Sequence, residues 1–499
     1  MLSHRVLLAG KLVVYFLWSV ASASALANSP QHARSSVIDT CQSIAAAVSS
    51  ASSVFYPGLL SFDYDKDVYH WASSSSQAST CSFEPGTAED VAIALQILGN
   101  TSTQFAVKGG GHASNPGFSS TTGVQIALYR FSEVAYDSTA QTATIGAGLV
   151  WDDVYAALEP YSVNVVGGRV TGVGVAGFTL GGGYSWKTNQ YGLTIDTVEA
   201  FELVMPNGTV TNVTEASSPD LFFGLKGGYN NFGIVTRFTL RVFPQTEVWG
   251  GLITFTANTL DLVNAATANF VANNTDPKAA IITTYNFLLG EPGVSQILFY
   301  DYPTPPSGLF DEFLAIPYFT SDISTRSFAS LVQSSPSNAT AQFRGIFNTI
   351  SVLDYPLALV QAILNETIYY GTNLILDSTF FISYDVESFL PTLFTHNSTP
   401  SAYPPSRAQG LLPLNIYYAW SFPVADDVMQ NAIRQTASTL RNKAVSLGQD
   451  VADAAPYSNY AIYDTPLESL YGDNLPLLQR LKAEVDPQNV MGLAGGFKF

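Results

Sequence analysis

The residue with the clearest chemical potential is His112, which follows three consecutive glycines, Gly109, Gly110 and Gly111. Residues without a Cβ allow backbone N–H groups to turn inward and hold an anion such as pyrophosphate. A neutral imidazole at the tip of such a loop is a nucleophile that could attack the C8 methyl group of an oxidised flavin. Because a lone histidine is more often an ordinary core or surface residue, this interpretation depends on the glycines beside it.

Two further glycine clusters follow, at residues 181–183 and at residues 227–228 before Gly233. The first could hold an anion or permit close backbone approach to a flat ring, and the second precedes a predicted strand. Any one cluster could be a structural turn. The three together favour a large bound cofactor.

A competing motif is G-x-G-x-x-G at residues 172–177, with Asp196 at the spacing of a ribose-binding acid. A nicotinamide site of this kind needs a helix that opens at the third glycine inside a βαβ unit. Glycines 181–183 would break that helix, so we do not predict such a site. The serine hydrolase and zinc protease motifs G-x-S-x-G and H-E-x-x-H are also not met.

The composition is that of a large folded protein. The chain has 499 residues, 47% hydrophobic and 12% charged, which predicts two sizeable lobes rather than disorder. Its net charge of −18 and scattered basic residues argue against nucleic-acid and membrane-surface binding. The aromatic content of 13% suits a large core and also a pocket for a planar or apolar ligand.

The N-terminus predicts export. Basic residues precede an apolar run at residues 12–20 and an A-x-A site at residues 25–27, so residues 1–27 resemble a signal peptide; the alternative is a buried helix. The only cysteines, Cys41 and Cys81, predict one disulfide in a secreted protein and exclude a cysteine-built zinc or iron–sulfur site. We predict no metal site. N-glycosylation sequons begin at Asn100, Asn207, Asn212, Asn273, Asn338, Asn365 and Asn397.

The predicted secondary structure differs between the first half of the chain, which holds the glycine clusters, and the part beyond residue 248. Thr87 is predicted to cap a helix through Leu98, and short strands with helices at 151–158 and 219–225 accompany the glycine clusters. Beyond residue 248, strands such as 251–255 and 296–300 alternate with helices at about 259–273, 308–315, 326–334 and 425–446. This pattern predicts an α+β fold whose second lobe is an antiparallel sheet backed by helices. A final helix is expected at 471–490.

The segment at residues 107–113 resembles the cofactor loop of berberine-bridge-enzyme-like FAD-linked oxidoreductases, which belong to the vanillyl-alcohol oxidase superfamily. The set of matches is specific and covers about residues 60–250 and 455–490. In chain order the other matching segments are 146–148 with Trp151, 167–169, 173–177, 181–183, 191–193 with Asp196, 206–208, 220–228, 231–236, 459–460, 471–474 and 486–490.

The resemblance implies a PCMH-type FAD-binding domain of two α+β subdomains and a division of the chain at 1–27 (signal peptide), 28–76 (segment packing on the FAD domain), 77–247 (FAD domain), 248–455 (substrate domain) and 456–499 (C-terminal segment returning to the FAD domain). His112 would carry the flavin covalently. Val170 stands where many members have a second flavin-linking cysteine, so a single covalent bond is expected. The other implied cofactor-binding residues are Lys108, Gly109, Gly110, Gly111, Ala113, Val170, Gly172, Val173, Gly174, Gly177, Gly181, Gly182, Gly183, Gly233, Ile234, Val235 and Asn459.

The implied activity is hydride transfer from a small organic substrate to flavin N5, with dioxygen reoxidising the flavin. Tyr457 is the expected catalytic base, and a packing role is the alternative. Strand alternation allows either Tyr417 or the pair Tyr418 and Trp420 to face the pocket, and we predict the pair. A secreted, monomeric enzyme of specialised metabolism is expected. Oligosaccharide oxidation, or cyclisation or ligand binding without net oxidation, are the alternatives.

Overall fold

The computed structural model describes residues 30–397 and 399–499, with side chains from residue 36 onward. The proposed signal peptide at residues 1–27 lies outside the described residues. No helix in the described part of the chain combines the length and apolar character needed to cross a membrane.

The first sheet has four strands: β1 Ser53–Phe55, β2 Cys81–Glu84, β3 Phe105–Lys108 and β4 Val124–Ala127, in the order β1-β2-β4-β3. Helices α1 Pro30–Ala47, α2 Phe62–Val68 and α3 Ala88–Thr101 accompany it. As predicted, Thr87 caps α3, because its hydroxyl accepts a hydrogen bond from the Asp90 N–H at 3.1 Å. The predicted disulfide is also confirmed: Cys41 in α1 is bonded to Cys81 in β2.

The second sheet region contains β5 Val134–Asp137, β6 Thr142–Gly146, β7 Val163–Asn164, β8 Val198–Val204, β9 Val210–Val213, β10 Ile234–Arg241 and β11 Phe243–Pro244. Five of them form an antiparallel sheet in the order β5-β6-β10-β8-β9, and β7 pairs with β11. Its helices are α4 Trp151–Leu158, α5 Val175–Leu180, α6 Thr188–Tyr191 and α7 Pro219–Leu225. Since α5 opens before Gly177, ends at Gly181 and follows an antiparallel strand pair, the G-x-G-x-x-G segment is not part of a βαβ unit.

The third sheet has seven antiparallel strands: β12 Val248–Thr256, β13 Ala279–Leu288, β14 Glu291–Tyr300, β15 Thr320–Arg326, β16 Arg344–Val352, β17 Thr379–Glu387 and β18 Leu412–Trp420. Their order is β15-β12-β14-β13-β17-β18-β16. The helices of this region are α8 Leu260–Asn273, α9 Asp311–Ala315, α10 Phe328–Gln333, α11 Leu357–Asn373 and α12 Asp426–Ser446. Helices α8, α11 and α12 cover one face of the sheet, which confirms the predicted α+β fold with a helix-backed antiparallel sheet.

The C-terminal segment does not form the single helix predicted at 471–490. It forms α13 Leu467–Tyr471 and α14 Leu475–Val485, separated at Gly472, whose φ of +45° interrupts the helix. Helix α14 packs on α7, so the chain returns to its first half. The division of the chain into five segments stays a prediction.

The sequon asparagines differ in exposure. Asn100, Asn207, Asn212, Asn273, Asn338 and Asn365 are exposed. Asn397 is half-buried, and its Nδ2 donates to the main-chain oxygen of Asp196 at 3.4 Å. Asn397 is therefore the least accessible of the seven.

Candidate active site

A cavity of about 550 Å³ lies between the glycine-rich loops and the face of the seven-stranded sheet that the helices leave uncovered. The predicted cofactor residues that line it are Gly109, Gly110, Gly111, His112, Ala113, Val170, Val173, Gly174, Gly177, Ile234, Val235 and Asn459, and Tyr457 lines it as well. The predicted cofactor residues that do not line it are Lys108, Gly172, Gly181, Gly182, Gly183 and Gly233.

The His112 imidazole stands on the cavity wall and is stacked on one side. The Trp71 indole lies 4.4 Å away between ring centroids, at an interplanar angle of 15°. His112 Nε2 is buried and has no hydrogen-bond partner among the described residues. Burial lowers the pKa of His112 to about 4, so the ring is neutral near pH 7 and keeps a lone pair available for reaction.

Two of the glycine loops meet in direct contact, and a further glycine borders the cavity. A Cβ on Gly110 would lie 2.5 Å from Gly174 Cα, so the two loops cross in direct backbone contact. A Cβ on Gly177 would have no atom within 4 Å, so this glycine borders open space in the cavity. A backbone cradle without side chains and an unpartnered buried histidine nitrogen fit a large planar cofactor such as FAD.

Lys108 requires a correction, because its side chain points away from the cavity. Its Nζ donates to the carbonyl oxygens of Lys66 at 2.8 Å and Asp67 at 3.1 Å, and to the Tyr129 hydroxyl at 2.8 Å. Burial lowers the pKa of Lys108 to about 7. The ammonium group therefore holds the C-terminal end of α2 instead of facing a cofactor.

Glycines 181–183 also differ from the prediction, since they lie behind the cavity wall and support Tyr457 and Asn459. The Gly183 N–H donates to the Tyr457 oxygen at 3.1 Å. A Cβ on Gly181 would lie 2.1 Å from Asn459 Oδ1, so only glycine fits there. This cluster makes room for side chains rather than for phosphate.

The Tyr457 oxygen receives two N–H donors. Besides Gly183, the Asn459 Nδ2 donates to it at 2.8 Å. With both acceptor positions occupied, the hydroxyl hydrogen is free to point elsewhere, and the ring lines the cavity. Burial raises the pKa of Tyr457 to about 12, although Asn459 and the Arg169 charge act to lower it.

Arg169 and Glu387 form a buried ion pair on the cavity wall, and neither is among the site residues predicted from the sequence. Arg169 Nη2 lies 2.5 Å from Glu387 Oε2 and donates to the Tyr460 hydroxyl at 3.0 Å. Tyr460 donates in turn to Glu387 Oε1 at 2.9 Å. The signal available in the sequence was a charged residue at the end of the matched segment 167–169.

A second polar group, also missed, lies on the open sheet face. Asp385 pairs with Asn415 across β17 and β18, and Asn415 Nδ2 donates to Asp385 Oδ2 at 2.9 Å. Asp385 Oδ1 and Asn415 Oδ1 are buried without a hydrogen-bond partner among the described residues, and both residues line the cavity. Burial raises the pKa of Asp385 to about 7. The two oxygens are free acceptors for a ligand that carries O–H or N–H groups.

The prediction that Tyr418 and Trp420 line the pocket is wrong, because β18 turns the face that carries Tyr417 toward the cavity. The Tyr418 and Tyr384 hydroxyls lie 2.6 Å apart on the helix-covered side, and Trp420 Nε1 donates to Asp426 Oδ1 at 2.8 Å. Tyr417 lines the cavity instead, with its ring centroid 4.6 Å from that of Phe347. Alternation along the strand was correct, but the choice of face was not.

Known proteins resemble this chain in sequence and in fold. Residues 80–214 match the family model described as FAD binding domain, and residues 456–494 match the model described as berberine and berberine like. An uncharacterised FAD-linked oxidoreductase of Arthroderma benhamiae is 38% identical over 54% of this chain and 55% of its own length. The FAD-dependent monooxygenase drtC of Aspergillus calidoustus is 31% identical over 98% of this chain and 96% of its own length.

Among solved structures, the glucooligosaccharide oxidase of Acremonium strictum, described with a 6-S-cysteinyl, 8α-N1-histidyl FAD, aligns with a TM-score of 0.73 at 18% identity. The alignment covers 90% of this chain and 97% of that one, and at this identity it concerns the fold. Together with the two family models and the full-length relative, it identifies the fold as the predicted PCMH-type α+β fold. The chain belongs to the berberine-bridge-enzyme-like FAD-linked oxidoreductases.

Proposed function

We propose that this protein is a secreted oxidase that carries FAD on His112 through one covalent bond and oxidises a small organic molecule. The observation that carries the proposal is the His112 ring, which is stacked on Trp71 and has a buried nitrogen without a hydrogen-bond partner among the described residues, on the wall of a cavity that glycine loops border. A neutral imidazole in this position is suited to covalent attachment. When bound, FAD would supply the hydride acceptor, with dioxygen as the final oxidant.

The single covalent bond is supported by the cysteine inventory. The chain has two cysteines, and both are used in the Cys41–Cys81 disulfide. Val170 lines the cavity where the family resemblance places a second attachment residue, and its side chain has no nucleophile. Attachment would therefore depend on His112 alone.

Proton transfer is assigned to Tyr457. Its oxygen is held by the Gly183 N–H and by Asn459, and this pair of donors would stabilise the oxygen as its proton leaves. Asp385 is the competing candidate, since its carboxyl group has a pKa near 7 and a free oxygen. The two assignments predict different pH profiles, because loss of activity below about pH 7 would point to Asp385.

The substrate is assigned to apolar, aromatic specialised metabolites that carry a hydroxyl or amine group. Trp71, Phe347 and Tyr417 form an aromatic wall, while Asp385 and Asn415 offer two acceptors. Relatives over most of the chain length are named FAD-dependent monooxygenases. Oligosaccharide oxidation is a second candidate, because the free oxygens of Asp385 and Asn415 would also accept hydrogen bonds from sugar hydroxyls and one similar structure is a glucooligosaccharide oxidase. Cyclisation or ligand binding without net oxidation would produce no peroxide.

Secretion is supported by the disulfide and by the exposed sequons. A glycosidase treatment of the exported protein tests this part, because a decrease in mass would locate the chain in the secretory pathway. A chain that stays inside the cell without glycans would refute it.

The central experiment is acid precipitation of the purified protein followed by visible spectra of pellet and supernatant. We expect flavin in the pellet of the wild type, and only in the supernatant for His112→Ala. His396→Ala is the matched control, because His396 is exposed and should leave the flavin in the pellet. Flavin in the His112→Ala pellet would refute the attachment site, and a well-folded protein without flavin would refute the cofactor. Formation of peroxide and oxidised product in equal amounts would then identify the protein as an oxidase rather than a monooxygenase.

A further inference from the structure

Tyr229 adopts a backbone conformation that is unfavourable for its residue type. Its φ is +54°, in the left-handed region that residues with a large side chain rarely occupy. The residue follows Gly228, is partly buried and lines the cavity. Strained conformations of this kind persist where the surroundings impose them, and they are concentrated at functional sites.

The Tyr229 hydroxyl lies beside the Asn459 amide, and the Ser458 hydroxyl is close to it as well. Tyr229 donates to Asn459 Oδ1 at 2.8 Å. Asn459 Nδ2 donates to the Phe178 carbonyl oxygen at 3.1 Å and to the Tyr457 oxygen at 2.8 Å. Because a carbonyl oxygen only accepts, Phe178 fixes Nδ2 on the Tyr457 side and leaves Oδ1 for Tyr229. The amide orientation is therefore determined by its neighbours.

The backbone beside this network is shaped to admit it. A Cβ on Gly181 would lie 2.1 Å from Asn459 Oδ1 and 2.4 Å from the Tyr229 hydroxyl oxygen. Two residues beside the Asn459 amide are therefore unusual for the positions they occupy. Gly181 has no side chain where one would collide, and Tyr229 has a bulky side chain where glycine would be unstrained.

We propose that Tyr229 is a positioning residue that holds the Asn459 amide toward Tyr457 and so strengthens the two-donor site at the Tyr457 oxygen. The inference rests on the proposed role of Tyr457 in proton transfer. A hydrogen bond accepted by Oδ1 polarises the amide and makes its N–H a better donor. This hydrogen bond stabilises the ionised form of Tyr457, because the ionised oxygen accepts the Asn459 N–H more strongly than the neutral hydroxyl does.

Other groups around Tyr457 set the background against which this effect must be measured. The titratable and charged side chains that face it in the described part of the chain are Arg169, Tyr184, Tyr229, Tyr403 and Tyr460. Arg169 favours the ionised form of Tyr457, whereas burial opposes it. Tyr229 acts through Asn459, so removing its hydroxyl should change the Tyr457 titration while Arg169, Tyr184, Tyr403 and Tyr460 stay in place.

The test reads the ionisation of residue 457 directly and needs no substrate. 3,5-Difluorotyrosine, which ionises at lower pH than tyrosine, is placed at position 457 of the flavin-loaded protein, and its ¹⁹F NMR shift is followed against pH. In Tyr229→Phe we expect the midpoint to rise by about half to one pH unit, the change typical of losing a modest hydrogen bond. Tyr471→Phe is the matched control, because the Tyr471 hydroxyl is near Tyr229 but donates to the Gly227 carbonyl oxygen at 3.1 Å instead of to Asn459.

An unchanged midpoint in Tyr229→Phe, or an equal rise in Tyr471→Phe, overturns the inference. Tyr229→Gly provides a second variant that lacks the hydroxyl and relieves the unfavourable φ, so it should fold and show the same rise. The failure of the proposed function is separate, because it would appear as retained turnover in Tyr457→Phe.

Discussion

The Trp71 indole lies nearly parallel to the His112 imidazole, with 4.4 Å between ring centroids and 15° between ring planes. The main-chain N–H of Trp71 also donates to the Gly111 carbonyl oxygen at 2.9 Å, so the tryptophan is fixed to the same loop that carries His112. One face of the imidazole is thus covered and its plane is defined. The ring is held ready to react at its edge.

Replacing Trp71 with leucine should slow the attachment of flavin to His112. Without the stacked indole the imidazole can rotate, and misplacement of a reacting group by about 1 Å costs on the order of 10 to 100-fold in rate. The measurement is the time course of acid-stable flavin after FAD is added to flavin-free protein. Phe347→Leu is the control, since Phe347 is farther from His112, at 6.5 Å between centroids, and should retain most of the rate. Equal rates in the wild type and Trp71→Leu would contradict this role.

Two glycines at one short helix should respond differently to alanine. In Gly181→Ala the new Cβ would meet Asn459 Oδ1 at 2.1 Å, and we expect a destabilisation of about 1–3 kcal/mol, seen as a lower Tm. Gly177→Ala meets no protein atom within 4 Å, so the flavin-free protein should keep its Tm. Since Gly177 lines the cavity, its alanine variant should instead bind FAD more weakly. The reverse pattern would show that the two glycines have been assigned the wrong roles.

The sequence predicted the local elements well where patterns were short-range. The helix Trp151–Leu158 and the cap at Thr87 follow from adjacent residues and are confirmed. Glycine spacing indicated His112 as the tip of a loop but could not distinguish an anion cradle from space for another side chain. That is why glycines 181–183 were assigned to the cofactor, although they accommodate Asn459.

Long-range relationships were less accessible. Alternation on β18 separates Tyr417 from Tyr418 but does not say which face the helices cover, and α11 (Leu357–Asn373), which packs against that sheet, was not predicted. The pairing of Arg169 with Glu387 joins two segments far apart in sequence. Only the tertiary structure brings such charges together, so spacing along the chain carries no signal for them.

The carboxyl group of Asp385 should make stability depend on pH. Burial raises its pKa from 3.8 to about 7, so between these values the folded protein holds a proton that the unfolded chain has lost. Stability therefore falls as pH rises through this window, by roughly 4 kcal/mol at most, and the penalty is complete above pH 7. Asp385→Asn removes it, and we expect a Tm gain at pH 8 and almost none at pH 4. Asp453→Asn, at an exposed position, should change neither value. A similar gain at both pH values would exclude ionisation as the cause.

Removing only Arg169 from its buried pair with Glu387 should lower the stability of the protein strongly, whereas removing both charges should lower it little. Arg169→Leu leaves Glu387 without its partner in an interior site, where an unpaired charge destabilises by about 3–5 kcal/mol. Burial already raises the pKa of Glu387, and loss of Arg169 should raise it further, so the Tm deficit of this variant should shrink at acidic pH as the carboxyl group becomes neutral. The double variant Arg169→Leu, Glu387→Leu removes both charges and should recover most of the Tm at pH 8. If the double variant melts as low as Arg169→Leu at both pH values, the contribution of Arg169 lies in its contact with the Phe389 ring and its hydrogen bond to Tyr460, not in neutralising Glu387.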